Sequence, residues 1–220
     1  MATSTVEDYL KSILLEEQRG GGGRATTGAL AAALGVTPGS VTTMVKALAD
    51  SGLVDYEAYA GAELTPAGRQ LALHVVRRHR LVELFLVRVL GLDWSEVHEE
   101  AERLEHAVSD RVIERIDEML GHPEVDPHGD PIPSAAGVVA PAAQPSLAVV
   151  GTGERVHIAR VADQDPEFLR LLERLGLRPG VRVKLIARDA AADAVELELG
   201  RGRRAVLGLR AAEKIFVEKR

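Results

Sequence analysis

The 220-residue chain has no cysteine and few aromatic side chains, three Phe, three Tyr and one Trp. The absence of cysteine excludes disulfides, thiolate zinc sites, iron–sulfur clusters and a cysteine nucleophile. Any metal bound by the chain must therefore have oxygen and nitrogen ligands, a donor set that suits Mn²⁺ and, to a lesser degree, Fe²⁺.

The chain also lacks long apolar runs and has no excess of basic over acidic residues. No apolar stretch approaches the roughly 18 residues of a membrane span, and the N-terminus MATSTVEDYL lacks the pattern of a signal peptide. These absences predict a cytoplasmic protein with no membrane partner. The net charge of −6 argues against the basic footprint that is usual for nucleic-acid binding, so a DNA-binding hypothesis needs support from motifs.

The first seventy residues carry such a motif. Thr26 can cap a short helix, TTGALAAAL, that ends near Gly35, and Thr37-Pro38 is a strong start for a second helix. Two helices joined by a tight turn and followed by two short strands predict a winged helix-turn-helix. Thr37 caps its helix in any case, and Lys46 can simply be solvated. The candidate DNA contacts are Thr27, Thr37, Ser40, Thr43 and Lys46.

Acidic residues and histidines concentrate in the middle of the chain. Thr65-Pro66 opens a predicted long helix through about Val89, and Asp93 and Glu96 form a predicted capping pair for the next one. That next helix carries the stretch VHEEAERLEHAVSD at residues 97–110. The stretch predicts either a solvated helix face or a site for a divalent cation.

The spacing of these residues along the sequence predicts which of their side chains lie on the same helix face. Positions three and four apart share a helix face, so Glu102, Glu105 and His106 are expected to point the same way. His98 lies one turn before Glu102, and on the long helix His79 and Glu83 form another i, i+4 pair, flanked by Arg77, Arg78 and Arg80. We expect these three arginines to lie over the bundle surface rather than on DNA.

The sequence partly resembles two catalytic metal motifs but matches neither. The inverted zinc-peptidase pattern HxxEH here reads ExxEH, and HExxH is absent. Di-iron bundles need Glu-x-x-His pairs from two helices, and these helices contain no such pair. The pattern therefore disfavours an enzyme.

The C-terminal third differs from the rest of the chain in composition and in hydrophobic pattern. After His122 the chain is rich in proline and glycine, and then short alternating runs (ERVHIARV, VRVKLIAR, AVELELG, RAVLGL and KIFVEK) predict a small β-barrel. One helix, capped by Asp165-Pro166 and stopped at Gly176, interrupts the strands. Within the barrel, ELGRGRRAVLGL forms a basic hairpin tip that could contact phosphate, a partner or nothing.

Together the motifs resemble the diphtheria-toxin-repressor family of metal-dependent transcriptional regulators. The resemblance rests on VEDYL, the helix-turn-helix, LTPAGR, RRHRLVELFL, GLDWSEVHEEAERLEHAVSD and DPHGDPIP. It implies a mainly α fold with β. The expected parts are an N-terminal winged helix-turn-helix (1–70), a helical dimerisation and metal-binding domain (71–133), a linker (134–148) and a C-terminal SH3-like β-barrel (149–220).

The resemblance also implies two metal sites. By position, the primary site falls on Asp8, Glu102, Glu105 and His106. The ancillary site falls on His79, Glu83 and His98, with Asp163 or Gln164 of the barrel as further candidates. Iron-responsive members have sulfur ligands where this chain has Asp8 and Glu102, and hard oxygen ligands favour Mn²⁺. Lys11 stands where some manganese regulators carry a second glutamate, which favours two separated sites.

The expected function is therefore a Mn²⁺-activated, dimeric repressor that binds an inverted-repeat operator in double-stranded DNA and controls metal homeostasis genes. No small organic substrate is expected. Three alternatives stay open: an Fe²⁺-responsive regulator of the same fold, a metal-dependent enzyme, and a metal buffer. Repression itself follows from the resemblance alone.

Overall fold

The computed structural model describes residues 3–20, 22–139 and 144–219. Its internal contacts divide the chain into two compact units, residues 1–79 with 133–138 (unit 1) and residues 80–132 with 139–220 (unit 2). The helices are α1 (Ser4–Arg19), α2 (Thr27–Leu34), α3 (Pro38–Asp50), α4 (Pro66–Arg88), α5 (Val97–Leu104), α6 (Asp110–Leu120), α7 (Pro166–Leu175) and α8 (Leu209–Glu213). The strands are β1 (Val54–Glu57), β2 (Gly61–Leu64), β3 (Arg155–Val161), β4 (Arg182–Asp189), β5 (Ala194–Glu198), β6 (Arg204–Gly208) and β7 (Ile215–Glu218).

Unit 1 contains the predicted helix-turn-helix. The Thr26 hydroxyl accepts a hydrogen bond from the Ala29 N–H at 3.1 Å, which confirms the predicted cap of α2. The Thr37 hydroxyl accepts one from the Ser40 N–H at 3.3 Å, which confirms the cap of α3. Residues 35–37 connect the two helices at an angle of 107°, which lies in the range of this motif.

The wing and its attachment follow in the same unit. Strands β1 and β2 form an antiparallel hairpin in which Val54 pairs with Leu64. The buried carboxylate of Glu17 on α1 accepts a hydrogen bond from the Leu64 N–H at 2.7 Å and pairs with Arg69 at 2.5 Å. This carboxylate therefore holds α1, the wing and the start of α4 together. The apolar core includes Leu10, Ile13, Leu14, Leu30, Val41, Val45 and Leu48.

Among the described helices, none is by itself both long enough and apolar enough to span a membrane. Helices α2 and α3 meet that requirement only as a bent pair, by length and composition alone. Helices of a protein core satisfy it equally well.

In unit 2 the helix of the acidic stretch is shorter than expected. Helix α5 ends at Leu104, and Glu105 and His106 lie in the turn that follows. Glu105 still has helical backbone angles and donates its N–H to the Ala101 carbonyl at 2.8 Å, and one carboxylate oxygen of Glu105 lies within 4.8 Å of one of Glu102. The backbone then makes a tight turn, in which the Leu104 carbonyl accepts from the Ala107 and Val108 N–H groups. Ser109 then takes the N-cap position of α6, because serine favours a new helix start over a helix interior.

The predicted capping pair before α5 is wrong. Glu96 itself occupies the N-cap position and makes no capping hydrogen bond with its side chain. The Asp93 carboxylate accepts from the N–H and hydroxyl of Ser95 at 2.8 and 2.6 Å. Asp93 therefore stabilises a local turn, an alternative that short acidic side chains commonly adopt.

The C-terminal part of unit 2 is a five-stranded antiparallel sheet in the order β6-β5-β4-β3-β7. Helix α7 begins at the predicted Asp165 cap, whose carboxylate accepts from the Phe168 N–H at 2.9 Å, and ends at Gly176. Trp94, which precedes α5, is buried in the core of this domain. Its indole N–H donates to Glu173 of α7 at 3.2 Å, so the helical part of unit 2 is anchored in the barrel core.

Gly68 offers a test of the unit 1 packing. A Cβ at this position would lie 1.9 Å from the Leu53 carbonyl oxygen, so we expect Gly68→Ala to lower the free energy of unfolding by about 1–3 kcal/mol. A Cβ at Gly28 in α2 would have no neighbouring atom within 4 Å, so Gly28→Ala should raise it by about 0.5–1 kcal/mol. Urea unfolding measures both, and equal effects would contradict the packing described.

Candidate functional site

Two of the residues implied for the ancillary site lie in contact within unit 2. The His98 Nδ1 atom is 3.2 Å from Oε1 of Glu83, and its Nε2 atom is 3.7 Å from Oε1 of Glu102. The Glu83 side chain is fully buried, whereas those of His98 and Glu102 are about two-fifths exposed. One imidazole thus lies between two carboxylates at the edge of the helical domain.

Two residues implied for the primary site lie in the turn after α5. Glu105 is completely buried, and its Oε1 atom is 3.3 Å from Nε2 of His106. Glu105 is buried and Glu102 is partly exposed, yet one carboxylate oxygen of each lies within 4.8 Å of the other. A buried carboxylate needs compensation by hydrogen bonds or positive charge.

The remaining predicted ligands lie on other elements. Asp8 is half-buried on α1, and His79 is buried on α4, one turn before Glu83. Asp163 follows β3; its carboxylate pairs with Lys214 and accepts from the Asp165 N–H at 3.0 Å. Gln164 is half-buried in the same connection.

A further cluster, which the sequence patterns did not predict, lies in unit 2. One ligand atom from each of Glu83, Asp126 and His128 lies within 4.8 Å of the other two, and all three residues are buried. Within the described part of the chain, Asp126 Oδ2 and His128 Nδ1 form no hydrogen bond. Buried polar atoms in this condition are unfavourable unless an ion or water joins them, and two carboxylates with one imidazole nitrogen suit a divalent metal.

Hydrogen bonding fixes the tautomer of His128. Its Nε2 atom lies 2.9 Å from the Trp94 carbonyl oxygen, which can only accept, so Nε2 carries the proton. In the neutral ring, the Nδ1 lone pair is then available to bind a metal, and this atom lies 3.8 Å from Glu83 Oε2. A ligand histidine held by a carbonyl through its second nitrogen is the usual arrangement in metal sites.

The loop that presents Asp126 and His128 is itself held rigidly. Asp126 Oδ1 accepts from the N–H groups of His128 and Asp130 at 2.8 and 2.9 Å. The His128 carbonyl accepts from the Val161 N–H of β3 at 2.8 Å. Gly129 has a φ of +88°, and a Cβ there would lie 2.0 Å from the Ala159 carbonyl oxygen. Only glycine fits this close approach, which joins the loop to the barrel.

The electrostatics of the cluster favour an added positive charge. Burial, followed by the charges of Asp130 and Glu83, raises the pKa of Asp126 to about 7. Burial alone would lower the pKa of His128, but the neighbouring Glu83 and then Asp126 raise it overall. Arg80 Nε, at 3.7 Å from Asp126 Oδ2, offsets only part of this negative charge. In the metal-free protein the cluster therefore retains protons that a cation would displace.

The only sequence signal for these residues was the segment DPHGDPIP, which contributed to the resemblance without any assigned role. Asp126 and His128 lie in a proline-rich loop more than forty residues after Glu83. No helix or strand period relates them, so spacing alone does not reveal the cluster.

The predicted DNA contacts lie on the exposed side of the helix-turn-helix. Ser40, Thr43 and Lys46 are exposed on α3, and Thr27 is half-buried at the start of α2. The Thr37 hydroxyl is 3.0 Å from that of Ser40, and the Thr43 hydroxyl donates to the Gly39 carbonyl at 3.0 Å. These contacts engage the hydroxyls of Thr37, Ser40 and Thr43, so Lys46 is the most available polar group of the four.

Tyr59 is a further residue that the patterns missed. It stands fully exposed at the tip of the wing, with a left-handed φ of 67°. Positive φ is uncommon for a non-glycine residue, and tyrosine hydroxyls commonly bind phosphate oxygens. Its position therefore makes it a candidate for contact with the DNA backbone.

Comparison with known proteins matches all three parts of the chain. The family models are described as iron dependent repressor, N-terminal DNA binding domain (residues 1–62), iron dependent repressor, metal binding and dimerisation domain (65–134), and FeoA domain (146–219). The iron-dependent repressor IdeR of Mycobacterium leprae is 34% identical over 192 residues, which cover 81% of this chain and 82% of that protein. The chain belongs to the iron-dependent repressor family.

Solved structures of other repressors agree. A manganese-dependent transcriptional repressor in complex with manganese aligns with a TM-score of 0.86 and 40% identity over 96% of this chain and 98% of that one. ScaR with bound Zn²⁺ aligns with a TM-score of 0.79 and 35% identity over 97% and 99%. The predicted fold, with its C-terminal SH3-like domain, is confirmed. The chain is a metal-dependent transcriptional repressor, not an enzyme.

The raised pKa of Asp126 predicts how the stability of the metal-free repressor depends on pH. Between pH about 4 and about 7 the folded chain holds a proton that the unfolded chain has released, so stability falls as pH rises. His128 changes stability in the same direction. Its contribution to the free energy of unfolding is present below the pKa that it has in the unfolded chain, and it is lost as pH rises through the raised pKa of the folded chain.

The free energy of unfolding of the parent chain should fall as pH rises from about 5 to about 8. We expect this fall to be smaller in Asp126→Asn by on the order of 2–3 kcal/mol. Urea unfolding in chelator measures this difference. Asp50→Asn at an exposed position provides the matched control for removal of one carboxylate. Parallel profiles for the parent and Asp126→Asn would contradict the assignment.

Proposed function

We propose that this chain is a Mn²⁺-activated, dimeric, cytoplasmic repressor that binds an inverted-repeat operator and controls metal homeostasis genes. The observation that carries the proposal is the buried cluster of Glu83, Asp126 and His128, whose ligand atoms face one another in the interior. Family membership supports DNA binding and dimerisation, and the cluster supports a metal as the signal.

The ligand chemistry favours Mn²⁺ within this family. The proposed ligands are carboxylate oxygens and imidazole nitrogens, and the chain has no cysteine to offer a softer donor. The aligned structure with bound manganese points the same way. An Fe²⁺-responsive regulator is the second candidate, because Fe²⁺ accepts the same donors; it is favoured if Fe²⁺ activates DNA binding at far lower free concentration than Mn²⁺.

The proposed ancillary site is larger than the resemblance implied. Glu83 presents Oε1 to His98 and Oε2 to His128, so its two oxygens join both groups. We therefore add Asp126 and His128 to the proposed ligands His79, Glu83 and His98. Asp163 and Gln164 of the barrel stay further candidates.

The proposed primary site consists of Asp8, Glu102, Glu105 and His106. Asp8 lies on α1, Glu102 lies on α5, and Glu105 and His106 lie just after α5. Carboxylates brought close together repel one another, and a divalent cation, when bound, supplies the charge that offsets this repulsion. A divalent cation has a higher affinity for the arrangement in which these four residues meet, and this differential affinity allows it to shift the equilibrium toward that arrangement.

DNA recognition falls to the exposed side of α3 and to the wing. Ser40, Thr43 and Lys46 contact base edges or phosphates, with Thr27 and Thr37 at the helix starts and Tyr59 on the backbone. A single lysine gives each protomer little electrostatic affinity. Two protomers that contact the two half-sites of an inverted repeat supply the rest.

Selection of genomic DNA fragments by the purified protein tests the whole proposal. We expect inverted repeats to be recovered with Mn²⁺ and not with chelator. If Mn²⁺ binds but no sequence is enriched, the chain is a metal buffer and the proposed function is wrong.

Asp8→Ala tests the proposed primary site. Because Asp8 is the one proposed primary ligand from the DNA-binding domain, its loss should lower Mn²⁺-dependent DNA affinity by about tenfold or more. The dimer, measured by sedimentation, should persist. Unaltered activation by Mn²⁺ in this variant would refute the role of Asp8 as a ligand.

His128→Ala tests the enlarged ancillary site. Removal of the Nδ1 ligand should reduce the number of tightly bound Mn²⁺ ions per chain by one, or weaken the binding of that ion by about 10–100-fold. Titration calorimetry measures both quantities. The exposed His122, which pairs with Asp117, is a matched control, and equal effects of His122→Ala would count against the site.

A further inference from the structure

Positive charge in this chain is concentrated in the C-terminal domain. Residues 146–220 carry fifteen Lys and Arg against eleven Asp and Glu, whereas residues 1–145 carry twelve against twenty-two. The DNA-binding segment 1–62 has only four against seven. The part that contacts operator DNA is therefore acidic, although phosphate contacts usually dominate affinity for DNA.

The basic groups near the helix-turn-helix are largely engaged. Arg19 and Arg24 form ion pairs with glutamates, and Lys11 is buried. Among the described residues of segment 1–62, Lys46 is the one exposed basic side chain without an acidic partner. On α4, Arg77 and Arg80 donate to proline carbonyls and Arg78 pairs with Glu7, as expected of arginines that do not contact DNA.

The sheet of the C-terminal domain carries an unneutralised pair of like charges. Arg155 of β3 lies directly opposite Lys184 of β4, and neither makes a hydrogen bond or ion pair through its side chain within the described chain. Like charges directly opposite each other destabilise a sheet. Glu198, the register neighbour of Lys184 on β5, makes no ion pair with it. A bound anion would offset the repulsion at this place.

The same row of the sheet continues to the basic hairpin tip. Glu198 pairs in register with Arg204 of β6, which is itself engaged by Glu196 at 2.8 Å. The connection before Arg204 places Arg201 at the tip with a left-handed φ of 63°. Arg201 is exposed and has no partner among the described residues. Glycine or asparagine would adopt this backbone at lower cost, so arginine at this position indicates a role for its side chain.

We propose that Arg155, Lys184 and Arg201, which we call the basic row, contact phosphates of the DNA duplex to which the repressor binds. This inference rests on the proposed function. Charge complementarity selects the partner: arginine forks match phosphate geometry, the chain is a DNA-binding repressor, and most basic groups of its DNA-binding segment are engaged. The basic row adds affinity that does not depend on DNA sequence.

Salt dependence of DNA binding tests the proposal in the full chain. The variant Arg155→Gln/Lys184→Gln/Arg201→Gln is compared with Arg170→Gln/Arg174→Gln/Arg210→Gln, which removes three exposed arginines from α7 and α8 instead. Fluorescence anisotropy with Mn²⁺ measures the affinity for a selected operator duplex and for an unrelated duplex of equal length, from about 50 to about 300 mM salt.

We expect the basic-row variant to lower the slope of log K against log salt by about 2 to 3, and to weaken binding by about tenfold or more at about 100 mM salt. Both duplexes should lose affinity equally, because phosphate contacts carry no sequence information. The α7 and α8 variant should stay within about twofold of the parent chain.

Other outcomes overturn the inference. If both variants lose DNA affinity equally, the loss reflects net charge alone. If the slope is unchanged but the dimer is lost, the basic row contacts a second copy of the chain instead of DNA. If the parent chain shows no Mn²⁺-dependent DNA binding, the proposed function itself is wrong. Arg201→Gly separates contact from folding, since it should lower the slope by about 1 without lowering thermal stability.

Discussion

Burial of Glu83, Asp126 and His128 is the constraint on which most of unit 2 depends. Ionisable groups leave water only when hydrogen bonds or opposite charges replace it. Backbone N–H groups stabilise one oxygen of Asp126, the Trp94 carbonyl binds the His128 ring, and Arg80 supplies partial positive charge. Among the described residues, these contacts still leave Asp126 Oδ2 and His128 Nδ1 without a hydrogen bond, and the proposed divalent cation would bind both atoms.

The same contacts join the helical domain to the barrel. His128 binds Trp94 through its ring and Val161 of β3 through its carbonyl, while Trp94 lies in the barrel core. Arg160 on β3 donates to Asp130 at 3.1 Å. The loop of the cluster is therefore part of the attachment of the SH3-like domain, so a change in charge at the cluster acts on a packed junction rather than on an isolated surface.

Charge is divided between the ends of the chain. The acidic N-terminal two-thirds hold most of the proposed metal ligands and the helix-turn-helix, and the C-terminal domain holds an excess of basic groups. Such a division keeps the intrinsic DNA affinity of one helix-turn-helix low, because few phosphates can be neutralised by it.

Much of the fold follows from local chemistry. Thr26, Thr37 and Asp165 cap their helices in the structure as predicted, because a capping side chain needs only a backbone N–H two or three residues away. Alternating apolar residues likewise predict the barrel strands. The capping pair of Asp93 and Glu96 was wrong because two local hydrogen-bonding options competed and the turn at Ser95 prevailed.

The sequence by itself determined the order of the domains, the helix-turn-helix and the groups able to bind a hard cation. Tertiary structure decided where α5 ends, that Glu105 points inward, and that Asp126 and His128 meet Glu83. These features depend on burial and on contacts between residues far apart in the chain. The stability of a buried ionisable group is set by everything packed around it, and no short-range pattern encodes that environment.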